Sequence, residues 1–401
     1  MNGISTELDQ NILWWLVERE DLNAMSQVSK YYRKIMEHFL YKDLVFDADH
    51  AFRIGMLFHT ILDRPDLAIL IKSVKVTDKT KPIVARKASV VDNAYHLLFW
   101  NKIITVRDLL ETFAQSLDQG IVSRWFGSIY TSPSSFDGTL AAILCLATNL
   151  EHLDLKAVRN DLPITTNIIG RNWDTMGQSP DTFPFCNLKS ICIRGDVNGT
   201  LPVLPWFDTL SNICKFTFYL RDHFLHFPYP CRAIGTNLRA LETTNISIGP
   251  DEFEKLFSSR DLRNLRELKI SGIYVRSGTS WVDYDLQLMI HTFEAYLPDL
   301  EVLHWTQHDW MREGVDLGTF RNLKGLPKLR ELKVDVHLLE IQRLQASPEN
   351  YIFEGLEALH VRCLGRRDKR AELILEAARS VGTRSVDLSL ELDCDPDAMW
   401  F

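Results

Sequence analysis

The 401-residue sequence lacks the signatures of most enzyme and membrane classes. It contains no H-E-x-x-H, G-x-S-x-G, Walker glycine loop or G-x-G-x-x-G, the spacings that place zinc ligands, a serine nucleophile or phosphate-cradling amides. No enzyme activity or cofactor is expected. Its most apolar run, around Leu140 to Leu146, is far shorter than the ~20 residues a membrane helix needs. Residues 1–15 show no basic segment followed by an apolar core and a small-residue cleavage site, which predicts a soluble intracellular chain, cytoplasmic or nuclear. Positive charge, 45 Lys and Arg, is outnumbered by 53 Asp and Glu. A formal net charge of -8 gives no general attraction to phosphate backbones or anionic lipid, so neither nucleic acid nor membrane is an expected partner. The seven cysteines are odd in number and form no C-x-x-C, a pattern of reduced thiols and not of disulfides or zinc ligands. The nearest candidates for a metal site, His304/His308, His223/His226 and Asp393/Asp395, do not converge at ligand spacing, and no metal is expected.

What the chain has is a repeat. With 46% hydrophobic residues there is ample surface to bury, and an array can exceed ordinary domain size because each unit packs on its neighbours. The phrase L-x-x-L-x-L recurs at Leu150/Leu153/Leu155, Leu188/Ile191/Ile193, Ile213/Phe216/Phe218, Leu238/Leu241/Thr243 and Leu265/Leu268/Ile270. It continues at Leu300/Leu303/Trp305, Leu329/Leu332/Val334, Leu356/Leu359/Val361 and, weakly, Thr383/Val386/Leu388. The first positions are spaced 38, 25, 25, 27, 35, 29, 27 and 27 residues apart. Alternation of the second and third apolar positions predicts a short strand with one face turned inward. Helix-period segments at 251–262, 283–297, 336–346 and 370–382 separate the strands; in the last, Leu373, Ile374, Ala377, Ala378 and Val381 form one apolar stripe. Ordered repeats at such spacings resemble leucine-rich-repeat proteins over residues 140–395. That resemblance implies an α/β solenoid, a horseshoe of parallel strands backed by helices, with its inner strand face open to a protein partner.

Residues 7–46 read as short helices. Leu8, Ile12, Leu13, Asp21, Leu22, Val28, Ser29, Lys30, Tyr32, Arg33, Leu40 and Tyr41 stand in the places of an F-box: L-P-x-E-[IL]-L, then D-L, V-S-[KR] seven residues after that aspartate, an aromatic-basic pair and L-Y. Asp9 and Asn11 occupy the proline and glutamate positions, so the start of the box is degenerate. The R-P-x-L phrase that follows, within 57–77, resembles fungal-type F-box proteins with leucine-rich repeats, and Ile71/Val74/Val76 would open the array. The resemblance implies an all-helical F-box-like segment at 1–46, a connecting region at 47–139 and an irregular repeat domain at 140–401. It further implies a substrate-recognition subunit of an SCF-type cullin-RING ubiquitin ligase. A Skp-family adaptor would be held by Leu8, Ile12, Leu13, Leu16, Leu22, Met25, Val28 and Tyr32, and a protein substrate by the repeats. The alternative is an interaction scaffold in which residues 7–46 cap the open end of the solenoid.

Three clusters stand out as partner-binding candidates. Trp310 and Arg312 follow a repeat strand, beside Trp305, which is either core or surface; aromatic and arginine residues are the usual anchors of interfaces. Arg366 and Arg367 belong to a basic loop, and Phe227 to an aromatic-rich loop at 219–230. The intervals 76–140 and 156–187, with Trp100, Trp125 and Trp173, break the repeat and are expected to carry extra helices or a lid.

Overall fold

The structure, a computed structural model, describes residues 18–47, 51–77, 119–131, 136–155, 163–169, 185–195, 212–220, 225–226, 237–247, 254, 257–258, 262–274, 276–277, 280–281, 286–306, 325–335, 339, 355–364, 369–380 and 383–391. It divides into two compact units, Met1–Lys189 and Ser190–Phe401.

The N-terminal unit opens with helices α1 (Arg19–Val28) and α2 (Lys30–Leu40). A single extended residue, Ser29 (φ -158°, ψ 163°), ends the first helix and caps the second by accepting the Tyr32 amide at 3.2 Å. Leu22, Ile35 and Met36 are buried between the helices, with Met25, Tyr32, Phe39 and Leu40 packed around them. Strand β1 (Asp43–Asp47) follows at once, then helix α3 (Ala51–Asp63), which buries Ile54, Phe58 and Ile61 at i, i+4, i+7. A 3-10 turn (Pro65–Leu70) leads into β2 (Ser73–Thr77). After α4 (Gln119–Thr131) and α5 (Phe136–Leu146) come β3 (His152–Leu155) and α6 (Pro163–Ile169).

Strands β1, β2 and β3 are parallel, and Leu44, Val74 and Leu153 fall in one column and Phe46, Val76 and Leu155 in the next, all buried. The array therefore starts one strand earlier than expected. Residues 43–47 are strand and not helix, and the expected boundary at 46/47 cuts through it. The signal was missed because Leu44 and Phe46 lack an aliphatic first position: Tyr41 stands there, half-exposed.

The extra helices expected in the insertions are present. Helix α5 is buried on nearly every side from Gly138 to Cys145, as its run of small and apolar residues requires. It packs against α3, α4 and α6. Trp125 of α4 is fully buried and donates its indole N–H to the Gly138 carbonyl at 3.0 Å. A side chain at Gly138 would run into the Ser128 hydroxyl of α4, which would have to turn away to admit it. The Asp137 carboxylate accepts the Ile164 and Thr165 amides at 2.8 and 2.9 Å, and burial pushes its pKa up against those bonds.

The C-terminal unit carries β4 (Ser190–Gly195), β5 (Lys215–Leu220), β7 (Ala240–Ser247), β8 (Glu267–Tyr274), β11 (Val302–Thr306), β12 (Glu331–Asp335), β13 (Ala358–Leu364) and β14 (Ser385–Glu391) in parallel array. The short β6 (Leu225–His226) adds to the end of β7, and β9 (Arg276–Ser277) and β10 (Ser280–Trp281) form a small hairpin. Helices α7 (Leu286–Tyr296) and α8 (Lys369–Ser380) lie between strands. Register puts Ile191, Phe216, Leu241, Leu268, Leu303, Leu332, Leu359 and Val386 in one column. Two residues further on, the register aligns Ile193, Phe218, Thr243, Ile270, Trp305, Val334, Val361 and Leu388, of which Ile193, Thr243, Ile270, Trp305, Val334 and Val361 are buried. These are the second and third positions of the repeat, and the fold is a leucine-rich-repeat solenoid.

The first position does a separate task. Ile71, Leu150, Leu188, Leu265, Leu300 and Leu329 are each buried and donate their amide to the carbonyl three residues earlier, closing the same turn. The next residue supplies a carbonyl that accepts two amides of the following strand, as Arg266 does from Glu301 and Val302 and Arg330 does from Glu357 and Ala358. Just before the first position runs a ladder the repeat count overlooked. Asn149 donates to the Ile69 carbonyl at 2.9 Å, and Asn187 to the Thr148 carbonyl at 3.1 Å, each one repeat back. In the C-terminal unit Asp299 and Lys328 take the same place and form an ion pair instead. Helix α8 buries Ile374, Leu375 and Ala378 while Leu373 is exposed, so its packed face is turned slightly from the expected stripe.

Candidate interaction surfaces

Between the inward columns, every strand presents alternate residues to its outer face, opposite the core. In the C-terminal unit the middle outward column is Glu242, Lys269, His304, Lys333, His360 and Asp387, one residue from each of β7, β8, β11, β12, β13 and β14. On one side of it stand Glu267 and Glu331, and on the other Ser271, Thr306, Asp335 and Arg362. His304 Nε2 lies 2.6 Å from Glu331 Oε1, and His360 stands between Glu331 (4.0 Å) and Asp387 (3.7 Å). Partial burial holds the His304 pKa below the ordinary imidazole value although Glu331 pulls the other way. Lys269 reaches Glu267 at 3.5 Å, and the Ser271 and Thr306 hydroxyls share a 2.8 Å hydrogen bond. Asp335 is fully buried and its two carboxylate oxygens accept from Nε and Nη2 along one edge of the Arg362 guanidinium. Repeat alignment alone brings these groups together; neighbours in the column are 27 to 35 residues apart from Glu242 onward, as the registers of Glu242 with Lys269 and Lys269 with His304 show.

The helical hairpin is the second surface. Of the adaptor-binding candidates, Leu22 is buried and Met25 and Tyr32 are half-buried within the hairpin's own core, where they hold α1 to α2. Val28 is 65% exposed and its neighbour Tyr31 46% exposed, on either side of the Ser29 hinge. Leu8, Ile12, Leu13 and Leu16 lie outside the described residues. Arg64, from the R-P-x-L phrase, forks onto both Glu37 oxygens of α2 at 3.1 and 3.0 Å and also binds Asp66, tying the hairpin to the first repeat.

Trp305 resolves as core, 2% exposed, with its ring 6.0 Å from Phe293, which in turn meets Phe257 edge-on at 5.2 Å. Trp310, Arg312, Arg366, Arg367 and Phe227 lie outside the described residues. Among the described residues no group of three His, Cys, Asp or Glu side chains is placed to hold a metal, and no helix is long and apolar enough to cross a membrane. The outward histidine column escaped the repeat search, which scored only apolar positions; reading the residue between the second and third positions of each repeat would have found it.

No family model and no curated protein matches this chain. Among solved structures it is similar to an internalin (inlF) from Listeria monocytogenes, at 14% identity and a TM-score of 0.35, over 62% of this chain and 64% of that one. It is also similar to Listeria monocytogenes InlP, at 16% identity and a TM-score of 0.28, over 55% and 52%. The match spans less than two thirds of either structure. The fold stands on the strand register described above.

Proposed function

We propose that this protein is the substrate-recognition subunit of an SCF-type cullin-RING ubiquitin ligase, acting in the cytoplasm or nucleus and carrying no catalysis of its own. Residues 7–46 dock a Skp-family adaptor, and the repeat strands hold a protein substrate. The observation that carries this reading is a two-helix hairpin fused directly to the first repeat strand, with Val28 and Tyr31 exposed beside the Val28-Ser29-Lys30 hinge. Exposed large apolar side chains at a helix junction fit a partner helix better than water. The test is co-purification of the full chain with a Skp-family adaptor. A complex is expected, and Val28→Asp with Tyr31→Asp should abolish it while the circular dichroism spectrum stays unchanged. A folded chain that never retains the adaptor removes the ligase role.

A second reading has its own observation. Leu22, Met25 and Tyr32 face into the hairpin, and the Arg64–Glu37 fork ties it to the repeats, as a cap on the array would require. On that reading the chain is an interaction scaffold. Loss of adaptor binding with continued ligand binding at the strands would select it.

A further inference from the structure

We propose that the outward face of strands β7, β8, β11, β12, β13 and β14 recognises a lysine- or arginine-rich segment of its protein partner, and that His304 and His360 make this grip weaken as pH falls. The inference rests on the reading that the strands hold a protein ligand, and adds the chemistry of that ligand. Three observations carry it. The first is sign: the two inner outward columns hold four carboxylates, Glu242, Glu267, Glu331 and Asp387, against two ammoniums, Lys269 and Lys333, while Asp335 and Arg362 cancel each other. The chain's net charge of -8 has the same sign, so long-range attraction and local contact favour the same ligand.

The second observation is reach. The side chains of Asp387, Glu267 and Glu331 are 68%, 44% and 36% exposed, against 32% for Lys269, 22% for His304 and 31% for His360. On this face the carboxylates are more accessible to an approaching chain than the nitrogen groups beside them. Six strands spaced ~4.8 Å apart span roughly 24 Å, the length of an extended segment of roughly seven residues.

The third is competition. Around His304 the facing groups are Glu267 and Lys269 from β8 and Glu331 and Lys333 from β12; around His360 they are Glu331 and Lys333 from β12 and Asp387 from β14. A neutral imidazole leaves Glu331 and Asp387 with their full charge for a ligand. Protonation turns each histidine into an internal cation within 2.6 to 4.0 Å of those same oxygens, which then neutralise it and release the ligand's guanidinium or ammonium.

The test uses the full chain and three fluorescent ten-residue probes, arginine/lysine-rich, glycine/serine-rich and glutamate-rich, followed by anisotropy at about 50 mM salt to limit screening. At pH about 7.5 the basic probe should bind at least about tenfold more tightly than either other probe, and its affinity should fall several-fold as pH is lowered toward about 5, a range in which carboxylates remain charged. Asp387→Asn, at an exposed position where folding is not at risk, should weaken the basic probe several-fold, and Glu331→Gln should do so as well. His304→Gln with His360→Gln should keep neutral-pH binding and remove the pH dependence. Equal or tighter binding of the glutamate probe, no binding of the basic one, an affinity indifferent to pH, or no effect of Asp387→Asn would each overturn the inference. Adaptor co-purification run on the same preparation separates the two failures: adaptor retained without probe binding sinks the ligand chemistry alone, and the converse sinks the ligase role alone.

Discussion

The two units share one repeat and expose opposite chemistry. Of the exposed large hydrophobic side chains among the described residues, Val28, Tyr31, Val45, Met56 and Ile69 belong to the N-terminal unit, and only Leu373 to the C-terminal one. The C-terminal unit instead turns out carboxylates, imidazoles and ammoniums. Their interiors differ as well. The N-terminal unit buries an entire helix, α5, under the indole of Trp125, whereas the C-terminal unit fills the space behind its strands with the side chains of Phe257, Phe293 and Trp305. The difference teaches that a repeat fixes how strands stack and leaves each unit free to choose what it shows a partner: scattered apolar side chains in one case, a polar strand face in the other.

Three perturbations would break or sharpen this contrast. The largest effect is expected from Trp125→Ala, which removes a fully buried indole and its hydrogen bond to Gly138; the loss should be about 3–5 kcal/mol. Hydrogen exchange should show α4 and α5 opening first while β8, β11 and β12 stay protected, and simultaneous loss of both regions would show that the units do not fold as separate cores. Next comes Asp335→Asn. It leaves the Arg362 guanidinium, only 12% exposed, without its carboxylate, and urea denaturation should show a loss of about 3 kcal/mol. A loss under about 1 kcal/mol would mean that water reaches this pair and that the C-terminal face is looser than its burial indicates.

The smallest effect concerns the charged edge of the N-terminal unit. Lys72 and Lys189 bind Glu151 at 2.9 and 2.6 Å and hold its carboxyl down to about 2. Because the folded pKa is depressed, its contribution is present above the ordinary glutamate range near 4.3 and disappears as pH falls from there toward 2. The pairs are solvent-accessible, so Glu151→Gln should cost about 1 kcal/mol or less at neutral pH and flatten stability across that acid window. An unchanged acid limb in the variant's denaturation curve would refute the assignment.

Much of the fold was legible in the sequence. Every repeat from Leu153 to Val361 placed its second and third positions in aligned register columns, because period-two alternation is a property of the strand backbone itself. Strand β1 was not legible, because its LVF core adjoins a helical pattern and has no leucine at the turn before it. The hairpin shows what an apolar stripe leaves open. Leu22, Met25 and Tyr32 are apolar positions in the sequence, and the structure sets them between the two helices while Val28 and Tyr31 stay exposed.

By itself, then, the sequence determined the element type, the repeat and the side of each strand that faces the core, since each follows from neighbours only a few residues away. The tertiary structure decided which outward groups meet. Lateral ties set the register: carbonyls of the residue after the first position, such as Lys72, Cys214, Arg266 and Arg330, with Asn149 and Asn187 in one unit and the Asp299–Lys328 pair in the other. Only that register brings His304 to Glu331 and His360 to Asp387 across 27 residues of intervening chain, a proximity no local pattern encodes.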